Sequence, residues 1–81
     1  MRIHVLCFAS VRDVVGAGRI ELEMAAGATV DTALAALADR TPQLGPLLGT
    51  LRVAVDEEFA AGADVLHPGA TLALLPPVSG G

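Results

Sequence analysis

Lysine, tryptophan and tyrosine are missing from this chain, and cysteine occurs once. A single Cys7 excludes an internal disulfide and a thiolate metal cluster, so a reducing, cytoplasmic compartment is the expectation. Aromatic side chains are limited to Phe8 and Phe59, too few for a base-stacking nucleic-acid surface. The five basic residues, all arginine, stand against nine acidic ones for a net charge of −4. An acidic surface repels phosphate, which argues against nucleic acid and anionic lipid as partners. No stretch approaches the roughly 18 uncharged apolar residues of a membrane span. The first residues, MRIHVLCFASVRDVV, become charged at Arg12 and Asp13 too early for a secretory leader.

What remains is rich in small and aliphatic residues. At 81 residues and 53% hydrophobic, the composition suits one small folded domain with a modest core, not a disordered chain. Arg2 to Phe8 alternates as a strand, with Ile3, Val5 and Cys7 on one face and His4, Leu6 and Phe8 on the other. Ser10 is placed to cap a short helix through Val11, Val14 and Val15 that is stopped by Gly16 and Gly18. Arg19 to Met24 alternates again, Ile20, Leu22 and Met24 inward, as a strand returning beside the first. Thr29 is a good N-cap, Asp31 favours the first turn, and Val30, Leu34, Leu37 and Ala38 recur at helical spacing until Pro42.

Gln43 to Leu48 reads as irregular or a single turn. Leu51 to Val55 reads as a third strand with Leu51, Val53 and Val55 on one face, followed by an acidic turn at Asp56-Glu57-Glu58. Phe59 begins a brief strand or anchors the loop. His67-Pro68-Gly69 signals a turn. Thr71 to Leu75 is the last strand and is apolar on both faces. Strand, strand, one long helix, strand, strand is the pattern of an α+β β-grasp domain, a mixed sheet with the main helix packed on one face. A ferredoxin-like sandwich is the rival and would need two long helices. The expected division is residues 1–75 as the domain and 76–81 as a projecting tail.

One helix covers one sheet face. Leu6 and Phe8 on the first strand and Ala73 and Leu75 on the last then leave an apolar patch if those strands are neighbours, and such a patch marks a partner surface. The alternative is that Phe59, Val65 and Leu66 fold back over it. Arg12 follows the patch and either pairs across the interface or is a plain surface residue. Pro76 and Pro77 lack backbone donors and have fixed φ, so they end the strand and stiffen its exit. Val78 and Ser79 are small, and Gly80 and Gly81 carry no Cβ, so this backbone can enter a channel too narrow for side chains. A final Gly-Gly arises by chance in roughly one chain in two hundred, from a glycine usage of about 7%. Its weight comes from the preceding strand and Pro-Pro exit.

Other candidates read as structural. Cys7 lies mid-strand with no basic neighbour in register to activate it. His4 and His67 lack metal-ligand spacing. The acidic trio reads as a solvated turn, and Gly16-Ala17-Gly18 lacks the spacing and lysine of a phosphate loop.

Over its whole length the chain resembles the small, sulfur-carrying subunits of molybdopterin synthase, a ubiquitin-like family. The likeness rests on FASVRDVVG at Phe8–Gly16, VAVDEEF at Val53–Phe59, and the ending from Asp64 to Gly81 with its LALLPPVSGG. It implies a cycle at the Gly81 carboxylate, with Pro76, Pro77, Val78, Ser79 and Gly80 as the inserted tail. An ATP-dependent activating enzyme adenylates Gly81, and a sulfur donor protein converts it to a thiocarboxylate. The large synthase subunit then receives the tail and passes the sulfur to cyclic pyranopterin monophosphate, in an assembly of two small and two large subunits. The resemblance implies no cofactor bound by this chain and no catalysis by it alone. A carrier for thiazole synthesis or tRNA thiolation, and a ubiquitin-like tag or interaction module without sulfur chemistry, are the alternatives. The lack of lysine rules out Lys-linked chains of this protein but not a single attachment.

Overall fold

The computed structural model describes residues 1–77. Its elements in chain order are β1 (Arg2–Cys7), α1 (Ala9–Val15), β2 (Arg19–Glu23), α2 (Val30–Arg40), a 3-10 segment (Pro42–Thr50), β3 (Arg52–Val55), β4 (Glu58–Phe59) and β5 (Thr71–Leu75). They form one five-stranded sheet in the order β2-β1-β5-β3-β4. The central pair β1 and β5 is parallel, and every other neighbouring pair is antiparallel. This mixed sheet with a packed helix is the ubiquitin-like β-grasp fold.

Period-two alternation decides which side of the sheet is dry. Ile3, Val5 and Cys7 of β1 and Leu72 and Leu74 of β5 point to one face, where they join Leu22, Val30, Ala33, Leu37 and Leu44 in a single buried cluster. On α2 the fully buried positions are Val30, Ala33 and Leu37, with Leu34 only partly covered. The small Ala33 thus lies at the centre of the buried face, and the flanking Leu34 fills its margin. Thr29 caps this helix as its residue type demands, its hydroxyl accepting from the Thr32 N–H at 3.2 Å, a contact worth about 1 kcal/mol.

Three local expectations are corrected. Ser10 does not cap α1: the helix begins at Ala9 with Phe8 at the cap position and no side-chain cap bond. The chain turns sharply at Ala9, φ 46°, so Ser10 already lies inside the first turn. The Phe8 carbonyl accepts from the N–H groups of Val11 and Arg12 at 3.0 and 3.3 Å. The segment after α2 is not irregular but a 3-10 helix over Pro42–Thr50. Pro42 is tolerated at its start because the first N–H groups of a helix have no intrahelical acceptor, and Leu44 plugs the core completely. The third strand begins at Arg52, one residue later than expected, although Leu51 still packs on the core beside Val53 and Val55.

Two turns shape the open face. In the β3–β4 hairpin Val55 pairs with Glu58, leaving Asp56 and Glu57 as a two-residue loop with φ 50° and 72°. Positive φ at both positions is the signature of a type I′ turn, whose twist matches that of the paired strands. Ahead of β5, Pro68 and Gly69 (φ 79°) occupy the centre of a turn closed by the Ala70 N–H donating to the His67 carbonyl at 3.1 Å. Gly69 then donates to the Arg2 carbonyl at 2.8 Å, which ties β5 to β1.

Candidate functional site

The face opposite α2 is built row by row across the sheet. Leu6 pairs with Arg19 on one side and Ala73 on the other, Ala73 pairs with Ala54, and Ala54 with Phe59. Cross-strand partners share a face, so Arg19, Leu6, Ala73, Ala54 and Phe59 make one row over all five strands. The two central positions are alanines and the flanking ones are large. A trough results, with Ala73 and Ala54 as its floor, Leu6 and Phe8 on one wall, Phe59 on the other and Leu75 at one end. Its volume is ≈ 600 Å³, and Asp56, Glu57 and Thr71 close the opposite, polar end.

The sheet positions beyond the trough are charged. Arg2 donates through Nε to Glu23 at 2.8 Å, and the Arg19 guanidinium donates to Nδ1 of His4 at 3.1 Å. The apolar area is therefore confined to the β1–β5–β3 centre and the β4 edge. Phe8 is 44% and Phe59 70% exposed, and apolar groups left in water on that scale gain free energy when a partner covers them.

Four of the five interface residues read from the sequence, Leu6, Phe8, Ala73 and Leu75, are brought together in this trough. Arg12 lies apart from its lining; its side chain runs across Gly18, where a Cβ would sit 3.6 Å from the Arg12 Nε. The proposed cover does not exist. Leu66 is in the core, Val65 points outward at 66% exposure, and Phe59 extends the trough instead of closing it. Phe59 and Ala54 went unassigned because their place depends on hairpin register. The signal was the two-residue spacing between Val55 and Glu58, obscured by a turn written Asp-Glu instead of Asn-Gly.

The trough leads into the tail. Leu75 and Phe59 also line a second hollow with Thr50, Arg52, Pro76 and Pro77. Arg52 pairs with Leu75 across the β3–β5 ladder and lies over the Phe59 ring, so a cation flanks the start of the tail. Pro76 and Pro77 follow β5 directly. Val78, Ser79, Gly80 and Gly81 lie outside the described residues. Cys7 is not part of this surface: it is buried, and burial pushes its thiol pKa up from the ordinary value, away from nucleophile chemistry. Among the described residues no group of three or more His, Cys, Asp or Glu side chains is arranged to hold a metal ion, and no helix is long and apolar enough to cross a membrane.

The chain is 31% identical over its full length, and 84% of the relative's, to a molybdopterin synthase sulfur carrier subunit of Arabidopsis thaliana. It is 34% identical to the protein of the same name from Chlamydomonas reinhardtii, with both chains covered in full. The crystal structure of SAMP1 from Haloferax volcanii superimposes with a TM-score of 0.91 at 31% identity, covering 100% of each chain; a further crystal structure, of the H. volcanii small archaeal modifier protein 1, gives 0.87 at 29% identity over 95% of this chain and 98% of the other. With the family model matched from residue 5 to residue 81 and both sulfur-carrier relatives aligned along the whole domain, the chain belongs to the ThiS family.

Proposed function

We propose that this chain is the sulfur carrier subunit of a molybdopterin synthase, non-catalytic alone and active through the carboxyl group of Gly81. The observation that carries the reading is the uncovered apolar trough along β5, which runs past Leu75 into the Pro76-Pro77 root of a tail written Val-Ser-Gly-Gly. The names of the full-length relatives support the same reading.

The chemistry follows from what a carboxylate lacks. It is a poor acyl donor, so an activating enzyme must first join it to the α-phosphorus of ATP with release of pyrophosphate. Sulfide delivered by a donor protein then displaces AMP, which departs with one former carboxylate oxygen, and a thiocarboxylate remains. That sulfur is nucleophilic and sits on an arm whose last two residues have no side chain. Inserted into the large subunit, it attacks cyclic pyranopterin monophosphate and displaces an oxygen substituent; water then cleaves the resulting thioester, which leaves the sulfur on the pterin and restores the Gly81 carboxylate, and two such deliveries complete a dithiolene. Acid, base and phosphate-binding groups belong to the partners. This chain supplies a docking face (Leu6, Phe8, Ala54, Phe59, Ala73, Leu75) and a tail aimed by two prolines.

Intact-mass spectrometry tests the reading. Incubation with the activating enzyme, ATP and a sulfur donor is expected to add about 16 mass units, the oxygen-for-sulfur difference, and deletion of Gly81 is expected to abolish the gain while the domain still folds. No mass change under conditions that charge a known carrier sinks the proposal.

A second reading, a protein modifier, is favoured by the likeness to the archaeal modifier protein. Under it, the activated terminus is found in isopeptide linkage to other proteins after incubation with a cell extract, a product the carrier reading does not predict.

A further inference from the structure

Away from the apolar trough, the most organised polar cluster joins the β3–β4 turn to the loop ahead of β5. Asp56 is its centre. Its N–H donates to the Thr71 carbonyl at 2.9 Å, and its Oδ1 accepts from the Thr71 N–H at 3.0 Å. The carboxylate thus extends the β3–β5 ladder by one bond after the backbone has turned away. Its other oxygen, Oδ2, meets Nε2 of His67, and Nδ1 of the same ring lies 2.9 Å from the Pro68 carbonyl oxygen.

These contacts fix the state of the ring. A backbone carbonyl only accepts, and an ionised carboxylate only accepts. Both ring nitrogens therefore have to donate, which the imidazolium does and neither neutral tautomer can. Removing one proton leaves a nitrogen lone pair facing an oxygen on one side of the ring, and one contact is lost. The surroundings offer no substitute. Of the carboxylates, Asp56 is the one within ion-pair distance of His67 among the described residues. Glu57 and Glu58 on the same turn and Asp64 in the same loop make no such contact. On β1, Arg2 is engaged by Glu21 and Glu23 and His4 by Arg19.

Asp56 and Glu57 also hold positive φ without being glycine, a conformation that persists where the surroundings over-determine it. The same two residues close the polar end of the trough, and two positions further on the strand carries Phe59.

We propose that His67 and Asp56 form a proton-operated clasp on the β3–β4 hairpin, fastened when the imidazole is protonated and released when it is neutral, so that pH sets how firmly the polar end of the trough and the Phe59 wall are held. The direction of the ring's titration agrees: the Asp56 carboxylate, then the Pro68 carbonyl, raise the His67 pKa above its ordinary value. The clasp does not depend on sulfur chemistry and can be read on the free protein.

The experiment is a two-dimensional NMR titration of the full chain between about pH 5.5 and 9, a window where carboxylates stay ionised and histidines titrate. The expected result is that the amides of Glu57, Glu58, Phe59 and Thr71 shift with a single midpoint equal to that of the His67 ring protons. In Asp56→Asn, which keeps an oxygen for the Thr71 N–H and tolerates positive φ, the His67 midpoint falls and the amide step disappears. In His67→Gln, at an exposed position with no packing role, the same four amides stay flat. Amides that do not follow His67 in the unaltered chain overturn the proposal, as does an amide step that survives in His67→Gln.

Discussion

The guanidinium of Arg52 lies over the ring of Phe59, 5.3 Å from its centroid. The two residues sit on adjacent strands of the open sheet face, one beside the tail root and the other forming the trough wall. An exposed cation–π pair of this kind contributes roughly 0.5–1 kcal/mol, enough to bias where the ring rests before a partner arrives.

Under the proposed function, Phe59→Ala is expected to weaken binding to the large synthase subunit about tenfold or more, the effect of losing an aromatic anchor worth over 1.4 kcal/mol. Its effect on stability should stay within about 1 kcal/mol, because the ring is mostly in water. Leu75→Asp is expected to weaken binding further by placing a charge at the trough's end. Calorimetric titration against the large subunit measures both, with circular dichroism as the check on folding. Undiminished affinity in both variants removes the trough from the interface.

The β3–β4 turn predicts a gain in stability. Glu57 holds φ 72°, which glycine adopts without strain, and the Asp-Gly pair is a preferred type I′ sequence. Glu57→Gly is expected to raise unfolding stability by about 0.5–1 kcal/mol, the net of relieving a left-handed non-glycine residue, worth at least about 1 kcal/mol, and of the roughly 0.5 kcal/mol that the freer unfolded chain takes back. In a domain this small that appears as a melting point roughly 2–8 °C higher. A lower melting point shows that the side chain of Glu57 makes a contribution larger than its backbone strain.

Leu44 tests whether the 3-10 segment is part of the core or a covering strap. It is fully buried, so Leu44→Ala should destabilise by about 2–5 kcal/mol, like Leu72→Ala on the core face of β5. Small domains carry only about 5 kcal/mol or somewhat more in total, so the upper end of that range unfolds the chain. Urea midpoints of the two variants, measured side by side, give the comparison. A near-neutral Leu44→Ala means the segment lifts away and the core closes without it.

The polar clasp makes stability depend on pH in two directions. The Thr71 N–H, then His67, lower the Asp56 pKa, so its contribution is complete above the ordinary carboxylate value and is lost as pH falls through the depressed one. His67 is shifted upward, so its contribution is complete below the ordinary imidazole value of about 6.5 and is lost as pH rises through the raised one. The clasp thus stabilises most between the two. The difference in urea midpoint between the unaltered chain and Asp56→Asn should be greatest in weakly acidic solution and shrink toward both ends. A difference constant from about pH 2 to about pH 9, a range that brackets both titrations, contradicts this.

The periodic parts of the molecule were legible in its letters. Alternation in Arg2–Cys7 and Thr71–Leu75, the 3.6-residue spacing of α2 and the Thr29 cap are consequences of local geometry, which a side chain's own neighbours dictate. Leu6, Phe8, Ala73 and Leu75 could be named as a patch because one helix leaves one face of a sheet uncovered. The 3-10 segment escaped because Pro42, Gly45, Pro46 and Gly49 break any longer-range pattern, so that burial of Leu44 against a distant core, not propensity, keeps it helical.

By itself, the sequence determined β1, β2, β3 and β5 with their buried faces, the existence of the main helix, and the small-residue Val-Ser-Gly-Gly end. Tertiary structure alone decided that β5 lies parallel to β1 and between it and β3, in the register that aligns Leu6, Ala73, Ala54 and Phe59, and that His67 meets Asp56 across two loops. The physical reason is range. A strand's pattern says which side of it is apolar, but its partner and register are chosen by the packing of the whole core, since a slip of one residue would turn every buried side chain out to water.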